Sequence, residues 1–253
     1  MTLLPTERTK ARQELSEYTI LIYGPPKVGK TTWASGFPNG IFLASESGHN
    51  AVEIFKVDID RWETFLDACK ELSGGKHKFE NVIIDTIDNV WDLCRQYICQ
   101  KHQIEHESEL PYGRGYGLIV NEFTRVLNKL SMLPYGLVMI SHADTQEIET
   151  RVGKRNKVVP SLKDKPRKLI LGMTDIILYC DMESGADSEK TPFSRRIMHT
   201  QPSPFYEAGD RTGRLPDVID LDFTKFLQAF NQDKAGGQEK TDPALSESKP
   251  KKK

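Results

Sequence analysis

Long apolar runs are missing from this chain. No stretch approaches the ~20 apolar residues that a membrane-spanning helix needs, and Thr6 to Glu17 alternate charged and polar groups without the apolar centre of a secretory leader. No membrane partner is expected, and the expected location is cytoplasmic. Net charge is equally scarce: 35 Lys and Arg stand against 36 Asp and Glu, leaving −1. The protein as a whole therefore lacks the broad field that draws in nucleic acid or anionic lipid, and any basic surface has to be local. The cysteines, Cys69, Cys94, Cys99 and Cys180, lack the paired spacing of a disulfide framework or a zinc site and read as reduced thiols. There is no internal repeat.

What is present is a recurrence of short, branched apolar runs. They are Thr19 to Tyr23, Gly40 to Ala44, Asn81 to Asp85, Gly136 to Ser141 and Asp175 to Cys180. Stretches with helical spacing separate them, such as Trp62, Phe65, Leu66, Cys69 and Leu72, then Val120, Phe123, Val126, Leu127 and Leu130. Alternation of this kind predicts an α/β fold whose largely parallel sheet is flanked by helices on both faces. Gln146 to Val159 alternates polar and apolar residues around Gly153-Lys154-Arg155-Asn156, which predicts a projecting basic β-hairpin. Arg195 to His199 reads as a late strand, and Asp222 as the cap of a helix carrying Phe223, Phe226, Leu227 and Phe230. With 253 residues, two small domains are not excluded by length. The pattern favours one domain over residues 18–231, between a polar segment 1–17 and a Lys-rich tail 232–253 whose composition predicts disorder.

Gly24-Pro25-Pro26-Lys27-Val28-Gly29-Lys30-Thr31 has the spacing of a P-loop, and it stands between a buried strand and helical sequence. Glycines at both ends let backbone N–H groups wrap phosphates, and the helix start adds its positive dipole end. Lys30 is expected to reach the β- and γ-phosphates of ATP and the Thr31 hydroxyl to ligate Mg²⁺, with Thr32 completing the nucleotide contacts. Asp85 ends another buried run and is the expected second metal residue; as a helix cap it has an alternative use. Asp85 is not followed by Glu, so the base that orients water must come from elsewhere. Glu46, just past the run Ile41 to Ala44, is the candidate, with a solvated loop carboxylate as the alternative. Ser141 and His142 end the next run at the same sheet edge, where they suit a γ-phosphate sensor.

A P-loop after the first strand, Glu46 after the second, Asp85 after the third and Ser141-His142 after the fourth resemble the RecA-like P-loop NTPase core. In particular the order is similar to that of compact phage nucleotide-binding ATPases, the group that includes Sak-type single-strand annealing proteins and the Rad-type recombinase core. That resemblance implies an ATPase that self-associates into a ring or filament on single-stranded DNA for recombination or annealing, alongside a single-strand-binding protein, in the host cytoplasm if phage-encoded. It also implies that Arg211 reaches a neighbour's ATP in trans, although relatives carry a lysine where this chain has Gly209. The family's DNA-binding loops map onto Tyr112, Arg114 and Tyr116, and onto the hairpin with Arg151, Lys154, Arg155 and Lys157; a solvated charged face is the alternative. Two rival readings stand beside this one: an ATP-switched assembly or helicase-loader-type protein whose main partner is another protein, and a small-molecule kinase.

Overall fold

The computed structural model describes residues 4–150, 153–186 and 192–232. Its central strand is β1 (Thr19–Gly24), buried along its whole length, as a run of branched apolar residues flanked on both sides should be. β1 pairs in parallel with β7 (Ile176–Ala186) on one side and β5 (Gly136–Thr150) on the other. β5 pairs with β4 (Asn81–Asp85), β4 with β2 (Gly40–Ala44) and β2 with β3 (Phe55–Asp58), all parallel. At the other edge β8 (Pro192–His199) and β10 (Val218–Asp220) add antiparallel strands, β9 (Gly209–Asp210) pairs with the start of β7, and β6 (Gly153–Pro160) folds back on the outer part of β5. Insertion of β5 between the P-loop strand β1 and the acidic strand β4 is the arrangement of the RecA-like core.

Alternation along the strands divides the core in two. Leu21, Leu43, Ile84 and Met139 face α2 (Trp62–Ser73), α3 (Ile87–Lys101), α4 (Arg114–Ser131) and α5 (Asp164–Met173), packing with Phe65, Val90, Phe123 and Ile170. Ile20, Phe42, Ile83 and Val138 face α1 (Lys30–Ala34) and α6 (Phe223–Gln232), packing with Trp33, Phe37, Phe226 and Phe230. Five residues are too few for a helix to persist alone. α1 is held by packing: Trp33 meets Phe226 edge-on at 5.1 Å and Phe37 at 5.3 Å, and Gly36 leaves space that Phe223 fills. Asp222 Oδ1 accepts from the Lys225 N–H and caps α6 as expected. No helix among the described residues is long and apolar enough to cross a membrane.

Several expectations are corrected. β3 has all four residues exposed and lacks the continuous apolar run that marks the buried strands; with it counted, Asp85 ends the fourth strand and Ser141-His142 belong to the fifth. The hairpin is an extension of β5 itself, and Gly153 to Asn156 lie in β6 rather than in the turn. Strand alternation therefore sends Lys154 to one face of the ribbon and Arg155 and Lys157 to the other. Arg151 and the tail beyond 232 lie outside the described residues. The polar N-terminal segment is docked, with Leu15 buried and Arg214 donating to the Arg12 and Gln13 carbonyls.

Candidate nucleotide site

Parallel pairing brings the carboxyl ends of four strands to one edge. Gly24 stands opposite His142, and Ala44 opposite Asp85, which in turn stands opposite Ile140. The cleft there measures about 800 Å³ and is lined by Pro26, Lys27, Gly29 to Thr32, Ser45 to Gly48, Asp85, Thr86, Asn89 and His142. Gly24 has to be glycine, since a Cβ would stand 2.6 Å from the Cys180 carbonyl oxygen of β7. Gly29 sits at φ 117° in the left-handed region that favours glycine. Lys30 is buried, and its Nζ donates to the Gly24 and Pro25 carbonyls at 2.9 and 2.8 Å.

Thr31 Oγ1 donates to Asp85 Oδ2 at 2.8 Å, and His49 Nε2 lies 3.0 Å from the same oxygen. Asp85 is not a cap: α3 begins at Ile87 with Thr86 in the N-cap position. Glu46 Oε1 accepts from Thr86 Oγ1 at 3.0 Å and Asn89 Nδ2 at 3.3 Å, and lies 2.8 Å from His142 Nε2. Ser141 Oγ and the His142 N–H both donate to Asp88, at 2.7 Å each, so Ser141 supports the strand end while His142 faces the cleft. The Asp85–Thr86 peptide is cis.

Burial sets the electrostatics. Desolvation lowers the Lys30 pKa, against weaker opposing fields from Cys180, Asp85 and Asp88. It raises that of Asp85, partly offset by the Thr31 hydrogen bond and by His49, and it raises that of Asp88. A buried ammonium beside a carbonyl pair and a buried carboxylate beside a hydroxyl are each under-solvated in their charged forms. Phosphate oxygens supply what the first lacks and a hard cation what the second lacks. Thr31 and Asp85 offer oxygen donors only, the set that suits Mg²⁺.

The other predicted residues lie apart. Arg211 donates to the Gly172 carbonyl and lies 3.5 Å from Asp175, beside the start of β7 and so at the sheet edge opposite the P-loop. Tyr112 is fully exposed and Arg114 is exposed at the start of α4. Tyr116 is not a free stacking face: it packs against Trp91, with the Lys165 ammonium 5.4 Å from its ring centroid. Gly115 serves packing, having no room for a Cβ beside the Glu107 backbone. Lys154 pairs with Glu147 at 2.7 Å and Lys157 with Glu207 at 2.8 Å, which removes two of the hairpin's cations from a free basic patch.

Sequence reasoning missed His49, Asp88, Asn89 and Arg196. Asp88 and Asn89 were open to discovery, as polar residues in the first helical turn after an acidic strand end. His49 and Arg196 carry no local signal.

Fold and site together define an ATP-binding, RecA-like P-loop ATPase domain. Residues 16–212 match the AAA_24 family, described as an AAA domain, and the chain belongs to that family. No curated protein sequence matches it. Among solved structures the chain is similar to the flagellar accessory protein FlaH from Methanocaldococcus jannaschii, at 8% identity over 81% of this chain and 84% of that one, with a TM-score of 0.44. It is also similar to a type III secretion system ATPase of pathogenic bacteria, at 11% identity over 65% of this chain and 51% of that one, with a TM-score of 0.43. Likenesses this distant leave the activity to the site itself.

Proposed function

We propose that the protein hydrolyses ATP as a switch that governs its assembly on single-stranded DNA, in recombination or strand annealing. Lys30 leaves the Gly24 and Pro25 carbonyls for the β- and γ-phosphates, and the P-loop N–H groups hold the same oxygens. Mg²⁺, held by Thr31 and Asp85, would supply charge neutralisation between the phosphates. Glu46 orients the attacking water and takes its proton, a base already positioned by Thr86, Asn89 and His142. Arg211 lies on the far edge of the sheet from its own P-loop, which restricts a finger role to the ATP of a neighbouring copy.

The observation that carries the coupling is the continuity of β5. One strand bears His142, hydrogen-bonded to Glu46 in the cleft, and then the outer arm paired with β6. A change at the γ-phosphate that draws Glu46 from His142 acts directly on the root of that ribbon. Tyr112, in the turn before α4, and Arg114, its first residue, are exposed and offer an aromatic face and a cation without a side-chain partner among the described residues to a strand of DNA. Filter binding of a single-stranded oligonucleotide with ATP and Mg²⁺ tests the reading: Lys30→Ala is expected to lose nucleotide-dependent binding, and an unchanged affinity would sink the coupling.

A second reading, an ATP-switched assembly whose main partner is a protein, is favoured by the edge strand β3. Among the described residues it stands at the end of the sheet with one row of backbone groups unpaired, and it exposes Phe55 and Val57. Nucleotide-dependent association that is indifferent to oligonucleotide in size-exclusion chromatography would select it.

A further inference from the structure

We infer that Arg196 is a positioning residue of the phosphate loop, acting on it from outside the cleft. Its Nη1 donates to the Val28 carbonyl oxygen at 3.2 Å, a contact between residues 168 apart in sequence. The peptide unit joining Val28 to Gly29 is trans, so its carbonyl and its N–H point in opposite directions. With the oxygen turned outward to the guanidinium, the Gly29 N–H is turned inward, to the space that the P-loop spacing assigns to phosphate. A cation on the carbonyl polarises the same amide and strengthens that N–H as a donor. Gly29 carries the imprint of this fit as well as its left-handed φ: a Cβ there would stand 2.9 Å from Arg196 Nη1.

Arg196 is exposed on β8 and, among the described residues, forms no ion pair. The adjacent Arg195 is bound by Glu183 at 2.6 Å and Asp220 at 3.4 Å, whereas Arg196 has no carboxylate partner among the described residues. Of the five N–H donors in its fork, the one on Val28 is the one engaged among the described residues. The strand that supplies it is itself fastened, since the Leu221 N–H donates to the Arg196 carbonyl at 2.8 Å and the Leu221 side chain also lies against Gly29. The C-terminal strands β8 and β10 thus set the outer wall of the P-loop.

The inference rests on ATP binding at this loop, and the test separates the two. Binding of a fluorescent ADP analogue and ATP turnover are measured for the full chain, wild type and variants. Arg196→Ala is expected to weaken ADP binding and raise KM for ATP about tenfold, the loss of one charge-assisted hydrogen bond, with kcat at saturation within about twofold. Arg196→Lys, which keeps the positive charge, is expected to recover most of the affinity. A merely structural role would lower the melting temperature of the nucleotide-free protein but leave ADP affinity and the ADP-induced thermal shift intact, and that result overturns the inference. So does a lysine variant no better than alanine. Should Arg196→Ala fail to fold, Arg196→Gln and Arg196→Lys carry the comparison. If the wild type binds no ADP, the nucleotide reading has failed and this inference goes with it; if the wild type binds and Arg196→Ala binds equally, only the inference falls.

Discussion

The nucleotide cleft and the β5–β6 ribbon share a strand but are built differently. In and around the cleft most side-chain contacts join distant parts of the chain, such as Thr31 to Asp85, Glu46 to His142 and Arg196 to Val28, with the Lys30 contacts to Gly24 and Pro25 as local exceptions. In the ribbon Lys154 binds Glu147 across a local hairpin, with both side chains more than half exposed. Buried polar groups in a low-dielectric site are costly unless satisfied, so the cleft's arrangement is tightly specified. Exposed ion pairs contribute ~0–1 kcal/mol each, so the ribbon's charges leave its geometry nearly free. The lesson is that the cleft is preorganised by the whole fold, whereas the ribbon can change partner at little energetic cost.

The largest expected effect breaks the cleft outright. Lys30→Ala should cut ATP turnover on the order of 10³-fold and abolish the thermal shift produced by ADP and Mg²⁺, because Lys30 is the buried ammonium at the P-loop itself. Glu46→Gln comes next: turnover falls on the order of 10²-fold while ADP affinity holds, since a base acts on water rather than on the bound nucleotide. Loss of affinity along with turnover would instead make Glu46 a structural member of the Thr86, Asn89 and His142 cluster. Both are read from phosphate release and a fluorescent nucleotide titration.

Asp85→Asn moves stability and turnover in opposite directions. Burial lifts the Asp85 pKa above its ordinary 3.8. A carboxyl so shifted contributes stability that is fully present below pH 3.8 and is lost as the pH rises through the lifted value. Asparagine keeps the neutral form at every pH. The nucleotide-free variant should therefore melt a few degrees above wild type at pH 7, the gap closing toward pH 4, while metal-dependent turnover collapses. Equal melting temperatures at pH 7 would mean that His49 and Thr31 already compensate the charge.

How much of this was legible in the sequence follows from how local each signal is. The P-loop spans eight consecutive residues, and its spacing alone dictates a wrapped backbone. Asp85 and Glu46 were legible because apolar strands announce where they end. β3 was not, since its four residues, Phe55-Lys56-Val57-Asp58, alternate over too short a span to stand out beside the continuous apolar runs of the buried strands. Gly153 to Asn156 looked like a turn by composition, yet Gly153 uses its φ of 124° to begin β6. His49 and Arg196 enter the site only through tertiary approach, from a loop and from the far end of the chain, so no spacing rule encodes them. The basic density of the ribbon was legible, but its neutralisation by Glu147 and Glu207 depends on register and on a segment about fifty residues away.

That neutralisation yields the smallest and sharpest prediction. If all the ribbon's cations met phosphates, replacing Lys154, Arg155 and Lys157 would lower the slope of log affinity against log salt for single-stranded DNA by ~2, at ~0.7 per phosphate contact. Lys154 and Lys157 already hold carboxylates, while Arg155 has no side-chain partner among the described residues. Arg155→Ala alone should therefore lower the slope by ~0.7, and the triple variant should add little to it. Slopes measured from 50 to 300 mM salt decide the matter. A full drop of ~2 would show that DNA strips both lysines from their glutamates, making the ribbon a surface remodelled on binding. No change in either variant would remove the ribbon from the DNA interface and leave Tyr112 and Arg114 to carry it.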